Sequence, residues 1–237
     1  MSRIALAPLF VVVVAAGLAC CEPPAVDHDL LSGLRVHEAQ RRALCARSRH
    51  NAVTAAFCGA TAPSITGIVD VEKALGLAFS DSGGPTFALT AHSTSLVERS
   101  VSVLNPRAVI VQQPKDRTDQ NALALTFTRG EPFVEIAAMA PGGAVDFYLL
   151  RYERECDALS AGCPPSIAFT PATESGWKNW SLYDDGDLKN TVVDCLECHE
   201  PVHGGGRIFR MQELANPWTH WIASFTDGGN ALFTDFQ

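Results

Sequence analysis

Between residues 77 and 170 the chain changes its apolar pattern to a period of two, in short runs cut by glycine- and proline-bearing turns. The runs are Thr86–Ala91, Ala108–Gln112, Ala122–Thr128, Phe133–Ala138 and Val145–Tyr152, with a shorter one at Ile167–Thr170. Asp81-Ser82-Gly83-Gly84-Pro85, Asn105-Pro106, Gly130-Glu131-Pro132 and Pro141-Gly142-Gly143 separate them. Closely spaced strands joined by such turns have no room for crossover helices, so the pattern predicts an antiparallel sheet or small sandwich. Ser93–Leu104 has Leu96, Val97, Ser100 and Val103 on one side, which suits a helix lying across one face. Before the block, apolar residues recur at three- and four-residue steps from Leu30 to Phe57, and a shorter helix is expected through Val71-Glu72-Lys73-Ala74-Leu75 with Gly76 behind it. After it, residues 171–186 read as a polar, aromatic linker, and a helix is expected from Leu188 to His199 or Glu200, with Asp184–Asp187 as its N-cap region and Pro201 ending it. The fold class is therefore α+β: an N-terminal helical segment (22–76), an antiparallel β-rich central domain (77–170) and a short C-terminal helical segment (171–237).

That last segment holds Cys195-Leu196-Glu197-Cys198-His199, a C-x-x-C-H spacing that marks covalent attachment of a c-type haem. On a helix these three residues stand at i, i+3 and i+4 and share a face. Both thiols can then reach porphyrin vinyl groups while the imidazole reaches the iron from the same side. A dithiol redox pair wants a βαβ context, and a zinc site wants further ligands at similar spacing; the chain has no second C-x-x-C. In these residues the chain resembles the c-type cytochromes. The resemblance implies one haem c, His199 as the proximal iron ligand, and single-electron transfer to a redox partner protein.

Residues 1–21 look like an export signal. Arg3 gives the positive start and Ile4–Leu18 the apolar stretch, which is too short for a membrane span. The sequence Gly17-Leu18-Ala19-Cys20-Cys21 resembles the end of a bacterial lipoprotein signal, with an ordinary secretory signal as the alternative. Cysteine parity bears on which residue is acylated. Of eight cysteines, two go to haem. If Cys21 is lipidated and Cys20 leaves with the signal, Cys45, Cys58, Cys156 and Cys163 remain for two disulfides, the natural pairs being Cys45 with Cys58 and Cys156 with Cys163, which close short loops. Lipidation of Cys20 would leave Cys21 over. The expected location is the cell envelope, lipid-anchored and facing the periplasm. Glu22 after the cut leans towards the outer membrane.

Part of the β-block is similar to a group of poorly characterised periplasmic proteins with a C-terminal haem motif. Asn105-Pro106-Arg107-Ala108-Val109-Ile110, Gly130–Ile136 and Gly143–Tyr148 carry that likeness. It implies that β-block and haem segment travel together, and it names no reaction. For the far side of the iron, Met211 comes first, because His/Met ligation suits an electron carrier, and Gly204-Gly205-Gly206 allows the chain to swing back. His220, on a helix expected to start at Asn216-Pro217, is the second choice; His203 and His92 are weaker. Arg207 and Arg210 are candidates to hold the propionates, or else are solvated. All four tryptophans lie between 177 and 221, either covering the haem or serving as plain core. Arg107, Glu135 and Arg151 read as outward-facing strand positions rather than a polar cluster near the haem edge. His50 reads as a surface residue.

The net charge of −8, with no Lys/Arg run, speaks against a nucleic-acid partner. No triad-like or acid–base arrangement is visible, so the chain reads as a carrier more than an enzyme. A haem sensor or peroxidase-like protein with an open distal site, and a surface binding module with structural haem, are the other readings.

Overall fold

The computed structural model describes residues 37–77, 85–91, 93, 101–112, 122–159, 162–200 and 204–208, and the backbone of 221–225. Three helices come first: α1 (His37–Cys45), α2 (Ala52–Phe57) and α3 (Ile68–Ala74). Asn51 starts α2, its side chain accepting from the backbone N–H groups of Val53 and Thr54. A disulfide between Cys45 and Cys58 ties the end of α1 to the end of α2. Gly67 lets α3 approach the chain at Glu174, where a Cβ would stand 2.5 Å from a carbonyl oxygen.

The strands are β1 (Thr86–Thr90), β2 (Arg107–Gln112), β3 (Leu123–Phe127), β4 (Phe133–Met139), β5 (Val145–Glu153), β6 (Lys178–Asp184) and β7 (Trp221–Phe225). They form one antiparallel seven-stranded sheet in the order β6-β5-β4-β3-β2-β1-β7. The fold is thus α+β. The β4–β5 hairpin turns on Gly142 and Gly143, both at positive φ, a region glycine enters without strain.

Alternation splits the sheet into two faces. One face carries Phe87, Ile110, Leu125, Ile136 and Leu150, and with Leu44, Val53, Phe57 and Val71 of the helices it makes the main core. Trp177 stacks flat on Tyr152 with ring centroids 3.5 Å apart, and Trp180 meets Phe57 edge-on at 5.5 Å. Trp177 is therefore a core residue of the helical face, and Trp180 packs against that core.

Three local expectations are corrected. Ile167–Thr170 is not a strand: Pro165 starts a short helix, α4 (Pro165–Ala168), because its fixed φ suits a first helical position. Residues 171–186 are not a linker: after a 3₁₀ turn at Pro171–Thr173, β6 becomes an edge strand on β5. Lys178 and Asn179 face solvent there and mask the alternation. The single helix from Leu188 to His199 is two short ones, α5 (Asp185–Leu188) and α6 (Cys195–His199). Asn190 between them sits at φ 61°, which ends a right-handed helix, and Asp194 caps the chain afresh. Residues 94–100 of the helix expected at 93–104 lie outside the described residues, and Ser102 and Asn105 close a bridged turn instead.

Three buried tyrosines, Tyr148, Tyr152 and Tyr183, make the fold sensitive to alkali, burial raising each above its ordinary value. Burial pushes the Tyr148 hydroxyl up to about 12 from 10.0, and burial raises Tyr152 well above 10.0. The folded chain keeps these protons while the unfolded chain releases them, so stability is complete below pH 10 and falls above it. The expected slope is about 1.4 kcal/mol per pH unit for each tyrosine. Denaturation followed by circular dichroism from pH 8 to 12 should give that fall, and Tyr148→Phe should shallow it; an unchanged slope would count against burial of this hydroxyl.

Candidate functional site

Helix α6 is one turn long, and Asp194 holds its start by accepting from the Leu196 N–H at 2.9 Å. The turn brings Cys195, Cys198 and His199 together on one side, all half-buried. It docks on the second face of the sheet, where Phe133, Leu149, Tyr183 and Leu188 form an apolar patch that receives Val193 and Cys195. Burial pushes the Cys195 thiol up, and the negative charges of Glu135, Asp185 and Asp194 add to it. Cys195 and Cys198 are thiols, whereas Cys156–Cys163, like Cys45–Cys58, is a disulfide.

His199 is fixed from two directions. Its ring stacks on Phe147 of β5 with centroids 4.1 Å apart and planes 24° from parallel. Its Nδ1 lies 3.3 Å from the Ile208 carbonyl oxygen. A carbonyl only accepts, so Nδ1 carries the proton and the neutral ring has its lone pair on Nε2. The Ile208 N–H in turn donates to the His199 carbonyl at 2.9 Å. The chain between them folds back with Gly204 and Gly206 at positive φ.

A second cluster anchors the segment that carries α6, and it was not foreseen. Arg47 and Arg49, between α1 and α2, face Asp184, Asp185 and Asp187 at the end of β6 and in α5. Arg49 also reaches Asp146 of β5 at 2.8 Å. Arg207 meets Asp146 at 2.8 Å and Asp185 at 2.9 Å. Asp184 and Asp185 are 0% and 1% exposed, so their charges depend on these guanidinium partners. The signal was present as Arg47-Ser48-Arg49 opposite Asp184-Asp185-Gly186-Asp187. Arg207 is thus engaged by two carboxylates, and a propionate would have to compete with both.

Another correction concerns Arg107 and Glu135. Arg107 is 5% exposed and is paired with Glu135, Thr126 and Ser93 on the second face. Arg107 is thus buried, and its partner Glu135 half-buried, on the face where α6 docks. His50 is exposed, as expected. Cys20, Cys21, His92, His203, Arg210, Met211 and His220 lie outside the described residues. Trp221 opens β7, so the helix expected from Asn216 does not run through it. Among the described residues no helix is long and apolar enough to cross a membrane. Cys156, Asp157 and Cys163 lie close enough to share an ion, but the two sulfurs are bonded to each other.

No protein-family model, curated protein or solved structure matches this chain.

Proposed function

We propose that the chain is a monohaem c-type protein of the cell envelope that passes single electrons. The observation that supports this is the setting of His199: a C-x-x-C-H turn whose imidazole has Nδ1 against a backbone carbonyl, so that Nε2 is the nitrogen that would ligate an iron. Cys195 and Cys198 would hold haem c by thioethers. Each thiol adds across a vinyl C=C, the sulfur bonding one carbon and the hydrogen going to the other, so no oxidant is consumed. His199 would be the proximal ligand. Bound there, haem supplies an iron that gains and loses one electron.

The protein's own residues do the positioning. Phe147 sets the plane of the imidazole, Ile208 sets its rotation and raises its basicity, and Asp194 holds the turn. Asp146, Asp184 and Asp185 are each ion-paired with arginine, which suits a carrier better than an acid–base catalyst. Acylation of Cys21, or of Cys20, would tether the chain to a membrane facing the periplasm, with the outer membrane favoured, where a redox partner protein would exchange electrons with it. Export also suits the two disulfides.

Production in a host that attaches haem outside the cytoplasm, followed by mass measurement and optical spectra, tests the proposal. One haem added per chain, with a low-spin spectrum that changes on reduction, is the expected result. A chain mass without haem would overturn it.

A further inference from the structure

We propose that the end of the sheet built around Gly130 rests on a lipid bilayer, with the apolar tips of three neighbouring segments inserted into it. This rests on the membrane-tethered location proposed above, gives that tether an orientation, and does not depend on the haem.

The turn between β3 and β4 is the hub. Buried Asn105 donates from Nδ2 to the Arg129 carbonyl at 2.8 Å, which fixes the turn that Ser102 and Asn105 close. Its apex is Val103-Leu104, 70% and 96% exposed. Turn apices favour glycine, asparagine, aspartate or proline, so two bare aliphatic side chains there ask for a partner. Arg154 donates to the Gly130 carbonyl, and beyond it exposed Leu159 stands in the loop that the Cys156–Cys163 disulfide closes. The Phe169 ring lies so close to Gly130 that a Cβ there would meet it at 2.8 Å. Phe169 is exposed all the same, as is Ile167 on α4. Val69 stands exposed at the margin, since Ile68 donates to the carbonyl of Glu174, the ion-pair partner of Arg129. Among the described residues the other large exposed apolar side chains are Val192 and Ile208, beside α6.

The surface between these tips carries little charge. From Val101 to Pro106 there is none, and from Gly162 to Gly176 the one charged residue is Glu174, buried against Arg129. At the edge, Asp157 is ion-paired with Arg154, and Glu155 is exposed beside it. On a chain of net charge −8, this end meets a lipid surface with the least desolvation and repulsion. The tips also project from separate segments. A fluid lipid layer accepts such points at any spacing, whereas a protein partner must match them socket by socket. The cavity bounded by Cys45, Arg47, Arg49 and His50 is lined by guanidinium groups, so in a second copy it is no apolar socket.

The chain enters from the same end. The His37 N–H donates to the Ser181 hydroxyl at 2.7 Å, and α1 then runs along β6 towards Asp187, which Gln40 reaches. The start of α1 therefore points towards Lys178, which pairs with Glu153, the residue before Arg154. Residues 22–36 join that point to the lipid proposed at Cys21, enough chain to span about 50 Å and let this end settle on the membrane. His199 rests on Phe147 near the start of β5, whose other end leads into Arg154. Contact through the Gly130 end thus leaves the C-x-x-C-H turn open to a redox partner.

The test uses the mature chain, residues 22–237, exported behind an ordinary secretory signal so that haem attachment proceeds and no lipid is added. Every described element lies within it. Sedimentation with sucrose-loaded phosphatidylcholine vesicles should show binding, unchanged or weaker when anionic phosphatidylglycerol is mixed in. The vesicles should slow hydrogen exchange at the amides of 102–105 and 167–170 and leave exchange in α6 as it was. Val103→Ser combined with Leu104→Ser, at positions too exposed to hold the fold, should lower the partition coefficient roughly tenfold. Leu104→Trp should raise it, because tryptophan favours the membrane interface. No binding to phosphatidylcholine, binding only with anionic lipid, or equal partition of wild type and double serine variant overturns the proposal. So does a dimer in analytical ultracentrifugation that the double serine variant breaks, which makes a second copy the occupant. Mass measurement of the native chain keeps the two readings apart. A missing acyl group with vesicle binding intact removes the tether and leaves this surface standing, while an acylated chain whose mature form ignores vesicles removes this surface alone.

Discussion

Arg49→Ala is expected to lower the unfolding free energy by roughly 3–5 kcal/mol, the range for breaking a buried ion pair from one side. The guanidinium reaches three carboxylates at once: Asp146 at 2.8 Å, Asp185 at 2.7 Å and Asp184 at 3.2 Å. Its removal leaves Asp184 to Arg47 alone and shares Asp146 and Asp185 on Arg207 alone, with two of the three acids essentially out of water. The cluster of Asp146, Asp184, Asp185 and Asp187 against Arg47, Arg49 and Arg207 already has one acid more than it has bases. Deleting an arginine therefore deepens a buried negative excess, whereas deleting an acid would relieve it. Arg49→Lys should recover little, because an ammonium cannot fork towards three acceptors. Arg207→Ala should cost less, since that side chain is 28% exposed and water can take over part of its role. Urea denaturation of the three variants checks the order, and a loss below about 1 kcal/mol for Arg49→Ala would mean that the cluster is better solvated than its burial implies.

Such a loss is of the same order as the whole stability of many domains, about 5–15 kcal/mol. It would also act on the site. The cluster joins the α1–α2 connection, β5, α5 and Arg207, and the last two flank α6 in sequence. Loosening it frees the segment that presents Cys195, Cys198 and His199. Packing, charge and the candidate chemistry are thus linked through one arginine that lies far from α6 in the chain.

How far the sequence could be read follows from where each element finds its partners. β1 to β5 were legible within one or two residues because each is half of a local hairpin or close neighbour, and alternation records which face is buried. β6 was not. It lies at an edge, pairs with β5 across a long excursion, and shows Lys178 and Asn179 to solvent, so its composition resembles a loop. The C-terminal helix failed for a different reason. Val192, Cys195 and His199 keep a helical step, but Asn190 at positive φ and the new cap at Asp194 divide it, and neither leaves a periodic trace. The spacing of Cys195, Cys198 and His199 was complete in the sequence. Their setting was not, since Phe147 and Ile208 become neighbours only when α6 docks and the chain reverses. Arg107 misled because alternation says which residues face away from one core, and here the opposite face is also covered.

Replacing both Cys195 and Cys198 by serine is expected to abolish covalent haem altogether, the largest functional change in reach of this site. The comparison of single variants makes the test sharper. Cys198→Ser would remove one of the two proposed thioethers, at a half-buried position. Cys195→Ser also places a hydroxyl against Phe133, Leu149, Tyr183 and Leu188. A hydroxyl on that apolar patch, with only the Val193 carbonyl near it, costs up to about 1–3 kcal/mol, so this variant should be the less stable of the two while still holding haem by the remaining bond. Extraction with acidified organic solvent separates the cases. Haem should stay with the chain in the wild type and in both single variants, and should leave completely in the double variant. His199 would still be present in that double variant, so any haem bound non-covalently before extraction would report on the contacts other than the thioethers, His199 among them. Retention of haem through extraction in the double variant would show that the attachment does not run through this turn, and the proposal built on Cys195–His199 would fall with it.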